Sequence, residues 1–363
     1  MMRRLTAAAC TVACLTQVPA AWAGGPAPAA PPHTASAASA ASGASAAPQL
    51  QAWMYPGTPG SDPACLAQSE YADGRLASGV LKPEFFTVSG TGGAVQVESG
   101  QCNEDTAAFV ADVKAHSAEQ FATVSGMTTA DVSAVVNSAS KRSAAVSKLV
   151  SKINATGFTG VDVDFEDYWS WDATTLTNYK KFLTQLATAL HASGRRLEVD
   201  APAMVEDADF YDLAGVAATG VDEIEIMAYD EEYDSTPGQK CLAITPYSWL
   251  TSVTKYAQSK VPNPAQLVIG LPSYGYTAPA ACDTSQITGN IANVTMQTMP
   301  GYSTDPATIA ARRDAGSGEI RWTSGGTLYD YVDSTAMDRK LAVLKGLGVA
   351  KVSVWCLGGN PWF

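Results

Sequence analysis

From residue 50 onward, short runs of apolar and β-branched residues alternate with stretches whose apolar positions recur every three or four residues. The short runs fall at 50–55, 85–88, 122–125, 160–166, 197–203, 223–229, 267–271 and 351–356. Their length and composition mark them as strands. The longer periodic stretches between them, among them 176–192, 249–259 and 337–347, have the spacing of helices packed by one face. Strands alternating with helices give a parallel sheet with crossover helices. Eight such strands predict an α/β chain closed into a (β/α)8 TIM barrel rather than an open doubly wound sheet.

The connection between the seventh and eighth strands is long. It holds two short β-like segments, Glu319-Ile320-Arg321-Trp322 and Thr327-Leu328-Tyr329-Asp330-Tyr331, on either side of a turn containing Gly325-Gly326. This pattern predicts a hairpin-containing insertion forming one wall of a groove. Ahead of the barrel, residues 24–48 are mostly Ala, Pro, Ser and Gly. Lacking large apolar side chains to offset chain entropy, they read as a disordered linker. Arg3 and Arg4, the short apolar stretch after them and Ala21-Trp22-Ala23 fit a signal peptide over 1–23. The expected layout is therefore a leader (1–23), a linker (24–48) and one catalytic barrel (49–363). The protein is expected to be secreted, extracellular or periplasmic, without membrane insertion; lipidation at Cys14 fits the local pattern poorly.

The net charge of −12, from 35 acids and 23 bases, disfavours nucleic acid as a partner. Removal of the leader leaves Cys65, Cys102, Cys241, Cys282 and Cys356. Export permits disulfides, and an odd count leaves at least one thiol free. Cys356, in the apolar run of the last strand, reads as the buried unpaired one. Cys65–Cys102 and Cys241–Cys282 are the favoured pairs, although five cysteines leave other connectivities open. His33, His116 and His191 are the only histidines, and none has metal-ligand spacing to another. No metal and no cofactor are expected.

The sharpest feature is Gly160-Val161-Asp162-Val163-Asp164-Phe165-Glu166. Alternate residues of a strand share a face. Asp162, Asp164 and Glu166 therefore point one way, and Val161, Val163 and Phe165 the other. Three carboxyls inside a barrel repel one another and lose hydration. Such a row persists if protons are shared, which is also how a carboxylic acid stays protonated near neutral pH. Alternating acids also occur on solvated edge strands or around calcium. An exposed face does not suit a barrel strand, however, and no twelve-residue calcium loop is present. On the sixth strand, Met227 and Tyr229 share the inward face and Asp230 ends the strand. Trp355 ends the eighth, where it would serve as an apolar floor. Trp169 and Trp171 follow the carboxylate strand, positioned either to stack on sugars or to pack a loop.

Taken together these residues resemble family 18 glycoside hydrolases, the chitinase group. Residues 158–166 are similar to the family signature, Met227-Ala228-Tyr229-Asp230 to its sixth-strand motif and Leu267 to Tyr276 to its seventh strand, with Trp355 matching its eighth-strand tryptophan. The C-terminal pattern Trp355-Cys356-Leu357-Gly358-Gly359 is nearest to a bacterial branch that includes spore-cortex-lytic N-acetylglucosaminidases. Thr159 departs from the usual outermost Asp, and the third strand lacks the usual second Gly.

The resemblance implies a retaining hydrolase cleaving β-1,4 bonds after N-acetylglucosamine in chitin, chitooligosaccharides or peptidoglycan. It implies substrate assistance in place of a carboxylate nucleophile. In that scheme Glu166 is acid and then base, Asp164 holds the acetamide N–H, Asp162 shares a proton with Asp164, and Tyr229 orients the acetamide carbonyl. Met227, Asp230, Tyr274 and Trp355 would contact the sugar. The expected partner is an N-acetylglucosamine-containing polysaccharide or oligosaccharide, bound by a monomer. The competing reading is a non-catalytic glycan-binding lectin on the same barrel; lectins of this kind typically lose the acid corresponding to Glu166, which is present here.

Overall fold

The computed structural model describes residues 47–89 and 92–360. The expected leader and nearly all of the expected linker lie outside the described residues. Eight parallel strands form the barrel: β1 (Gln49–Met54), β2 (Val80–Thr87), β3 (Glu119–Gly126), β4 (Gly160–Phe165), β5 (Arg196–Pro202), β6 (Glu223–Met227), β7 (Leu267–Pro272) and β8 (Lys351–Leu357). Each pairs with the next, and β1 pairs with both β2 and β8, closing the ring. No described helix is long and apolar enough to cross a membrane.

The outward face of each strand supplies the conventional apolar core. On β4, Val161, Val163 and Phe165 are fully buried, and the Phe165 ring stacks on Phe182 at 5.5 Å. Phe182 belongs to the helix Ala173–His191, whose Tyr179, Phe182, Leu183, Leu186 and Leu190 recur at helical spacing and are all buried. Asp172 caps that helix by accepting the Thr175 N–H at 2.6 Å. The preceding helix, Ala139–Thr156, ends at Gly157 with φ 70°, the left-handed conformation glycine adopts without a Cβ penalty. Gly160 opens β4 for a different reason: a Cβ there would lie 2.2 Å from the Arg196 carbonyl oxygen.

The inward face is charged. Near the N-terminal end of the strands, Glu223 accepts from Gln51 Nε2 at 2.7 Å and pairs with Arg196 and with Lys351, the latter at 3.0 Å. Above it, fully buried Lys82 pairs with Glu198 at 3.1 Å and with Glu225, and lies 5.7 Å from the Trp53 ring centre. Above these come Asp162, Asp164, Asp200 and Glu84. Ions removed from water in this way persist only when paired, hydrogen-bonded or neutralised by a proton.

β2 begins at Val80, five residues earlier than the apolar run at 85–88 predicts. Lys82, Pro83 and Glu84 break the apolar pattern, yet every residue from Val80 to Phe86 is buried, because here the polar groups face the barrel interior. The insertion after β7 forms a second, antiparallel sheet in which Gly275–Pro279 lies between Thr288–Ile291 and Thr327–Tyr331, with Ile320–Ser324 at the edge. The expected hairpin is present, with Gly325 and Gly326 at its turn. It carries its own small core, in which Trp322 stacks on Tyr329 at 4.9 Å. Glu319 anchors the insertion to the barrel: it accepts the Ile244 and Thr245 N–H groups and pairs with buried Lys340 at 2.7 Å. Disulfides join Cys65 to Cys102 and Cys241 to Cys282. Cys356 is unpaired, as expected, but only partly buried.

Candidate active site

β4 delivers its carboxyls to the C-terminal mouth of the barrel. Asp162 and Asp164 are 0% and 3% exposed, while Glu166, one residue past the strand, is half-buried. The row thus climbs from the interior to the opening. The Glu166 N–H bonds the Gly126 carbonyl at 2.9 Å, fixing it against the end of β3. Thr123 Oγ1 donates to Asp162 Oδ2 at 2.8 Å, and burial raises Asp162 to about 6 despite the attraction of Lys82. Asp164 is held protonated well above the usual carboxylate range, first by burial and then by the charges of Glu166, Asp162 and Glu84.

Two strands along the ring from this row, the end of β6 presents Tyr229. The strand ends at Met227, so Tyr229 and Asp230 lie just beyond it rather than within it. Burial, with Glu225, Asp200, Asp164 and Asp230 nearby, keeps the Tyr229 hydroxyl protonated and therefore able to donate. Its ring stacks on Trp355, with centres 6.5 Å apart and planes inclined by 25°, and meets Tyr274 edge-on at 6.2 Å. Trp355 packs in turn against Trp53 at 4.7 Å and Tyr55 at 6.0 Å. The result is an aromatic wall beside the carboxyls. The Tyr274 hydroxyl donates to Asp230 Oδ1, and burial raises Asp230 to about 6 against that bond. Met227 is half-buried and packs on the main core.

Four residues at this site escaped the sequence reading. Glu84 on β2 accepts from Ser125 Oγ at 2.5 Å; burial raises it to about 7, with Glu98 and Glu166 adding to the effect. Tyr168 is buried behind Glu166 and Asp164. Asp200 and Lys82 complete the interior. A signal for Asp200 was available: Leu197-Glu198-Val199-Asp200 alternates acid with apolar residue as β4 does. The two tryptophans after β4 part company. Trp171 is loop packing, buried against Tyr168 and Tyr179, whereas Trp169 is 52% exposed at the rim beside Phe210.

The site combines a half-buried carboxyl at the mouth, buried carboxyls able to exchange protons beneath it, a neutral phenol donor and an aromatic wall. That set can protonate a leaving oxygen and hold a polar ring with one apolar face.

Residues 85–360 match the family model for glycosyl hydrolases family 18. Over 159 residues the chain is 31% identical to YdhD of Bacillus subtilis (strain 168), which is named as a sporulation-specific glycosylase; the match covers 42% of this chain and 36% of that protein. The chain therefore spans about a third of the length of that curated relative. Among solved structures, a chitinase from Chromobacterium violaceum superposes with a TM-score of 0.64 at 22% identity, covering 86% of this chain and 95% of that one. The spore cortex-lytic enzyme SleL of Bacillus cereus superposes with a TM-score of 0.67 at 17% identity, covering 86% of this chain and 72% of that one. With the family model spanning most of the chain and the barrel closed around its carboxyl row, the protein belongs to glycosyl hydrolase family 18.

Proposed function

We propose that this protein is a glycoside hydrolase that cleaves β-1,4 bonds after N-acetylglucosamine with retention of configuration, the substrate's own acetamide serving as nucleophile. The observation that carries the reading is the carboxyl row itself: buried Asp162 and Asp164 leading to the half-buried Glu166, with Tyr229 just past the end of β6. Glu166 protonates the glycosidic oxygen, and the C–O bond to the leaving sugar breaks. The acetamide oxygen attacks C1 and closes an oxazolinium ring. Asp164, giving its proton towards Asp162, accepts the acetamide N–H and balances the charge that develops there. Tyr229 donates to the acetamide oxygen and orients it. Glu166 then takes a proton from water as the water opens the ring.

Trp355, half-buried and backed by the buried ring of Trp53, is the ring that suits the apolar face of a pyranose. Tyr274, expected at the sugar, and Trp53 are too buried to touch one. Chitooligosaccharides, chitin and peptidoglycan all offer N-acetylglucosamine at the cleaved position. Export fits the two disulfides, which persist in oxidising compartments.

The test is turnover of a fluorogenic chitooligosaccharide by wild type and Glu166→Gln. The variant is expected to fold and to bind the substrate while losing nearly all turnover. Turnover close to wild type would remove Glu166 from the chemistry.

A further inference from the structure

Asp200 is 1% exposed, and neither of its carboxyl oxygens receives a hydrogen bond from an ordinary donor. A bare carboxylate in that position would be strongly disfavoured. Its neighbours are set by strand register. Asp162 pairs with Glu198 and Val163 with Val199 across β4 and β5. Continued by one residue, that register sets Asp200 beside Asp164. On its other side Asp200 is in register with Glu225 of β6.

The groups facing Asp200 are therefore mostly acids: Asp162 and Asp164 from β4, and Glu225 from β6. Lys82 from β2 is the cation that acts on it most strongly, and it is already paired with Glu198 and Glu225. The phenols of Tyr179, Tyr211 and Tyr229 also face it but are neutral. Asp200 and Asp162 project inward from adjacent strands as diagonal neighbours, two residues apart in register, and Asp162 is the acid that acts most strongly on Asp200. Asp162 Oδ2 is taken by Thr123, and its Oδ1 has no ordinary donor. Two carboxyls can bond only if one carries a proton.

We propose that Asp200 is a positioning residue of the catalytic row, a protonated carboxyl whose O–H donates to Asp162 and keeps that residue the ionised member. The inference rests on the role given above to Asp162, Asp164 and Glu166. Burial and the adjacent acids hold the Asp200 carboxyl neutral well above the usual range, in keeping with a donor. With this donor in place Asp162 competes less for the shared proton, which stays with Asp164 and Glu166. Without it, Asp162 becomes the more basic site and draws the proton down the row, so that Glu166 loses its own at lower pH.

The pH profile of kcat on a fluorogenic chitooligosaccharide tests this with Asp200→Ala and Asp200→Asn. Asp200→Ala removes the donor and is expected to move the alkaline limb about one pH unit towards acid, the scale of losing one hydrogen bond to a carboxylate. Asp200→Asn is neutral, keeps an N–H donor and is expected to return the limb to its wild-type position. A purely structural role would lower the amplitude of both profiles without moving the limb, because unfolded molecules do not contribute. The proposal is overturned if the Ala profile superimposes on wild type, if Asn shifts as far as Ala, or if the nearly isosteric Asn variant fails to fold. Glu166→Gln, assayed in parallel, separates the layers. Turnover by that variant sinks the underlying reading, whereas an inactive Glu166→Gln with an unmoved Asp200→Ala profile sinks only the role of Asp200.

Discussion

Tyr229 shows how much a single side chain gains from its surroundings. Alone, a tyrosine two residues past a strand is an ordinary packing residue. Here burial, with Glu225, Asp200, Asp164 and Asp230 nearby, keeps its hydroxyl a donor, and stacking on Trp355 fixes its ring. Tyr229→Phe retains the ring and removes only the O–H. If that O–H orients the acetamide oxygen, kcat should fall roughly a hundredfold or more, the scale of losing one preorganised donor to a developing oxyanion. Thermal stability should be nearly unchanged. Steady-state kinetics check this, and a wild-type kcat would assign the hydroxyl to packing alone. Glu166, Asp164, Asp162 and Tyr229 were legible from the sequence because acid alternation and a recognisable tetrapeptide are local features. Glu84 was not, since it follows Pro83 in a segment with no alternation, and only the Ser125 hydrogen bond and its burial identify it.

At the scale of elements, strand periodicity carried most of the fold. Eight strands and the hairpin stand where the patterns place them. The exception is the N-terminal half of β2, where Lys82-Pro83-Glu84 looks like a loop to any rule based on apolar runs. Lys82 explains why it is a strand: its ammonium is the charge against which Glu198 and Glu225 are held. Replacing it with the similarly sized Met strands those two glutamates in the interior. Lys82→Met should cost about 3–5 kcal/mol at neutral pH, the range for breaking a buried pair by removing one partner. Part of the loss should return at pH 5, where the orphaned glutamates take up protons. Chemical denaturation at the two pH values measures both effects, and equal stability of variant and wild type at pH 7 would remove Lys82 from the support of the barrel.

For the whole molecule, the unusual property is a barrel lined with acids that hold their protons more tightly folded than unfolded. Glu84 is raised from 4.5 to about 7, and Asp162 and Asp230 from 3.8 to about 6. For raised carboxyls the linkage sign is fixed. Their contribution to stability is complete below the ordinary values and is lost as pH climbs through the raised ones. Lys82, itself raised, stays charged throughout this range and adds no slope. Melting temperature should therefore be higher at pH 5 than at pH 8, with most of the fall between about 5 and 7. Differential scanning fluorimetry across that range decides it, and a melting temperature that rises from pH 5 to 8 would contradict the assignment of these protons. Disulfides at the rim hold the loops after β1 and β2 together, and the loop after β6 to the insertion. Their partners could be favoured from the order of strands and loops, because both join loops at the same end of the barrel.

By itself the sequence determined the strand and helix order, the barrel, the inward direction of Asp162, Asp164 and Glu166 and the family resemblance. Each of these depends on periodicity or on residues close together in the chain. Tertiary structure alone decided which distant groups meet: Lys82 with Glu198 and Glu225, Ser125 with Glu84, Asp200 with Asp162, and Trp355 with Tyr229. Those contacts depend on closure of the ring and on strand register. Both are set by the packing of all eight strands at once, so no single segment encodes which side chains will share a proton.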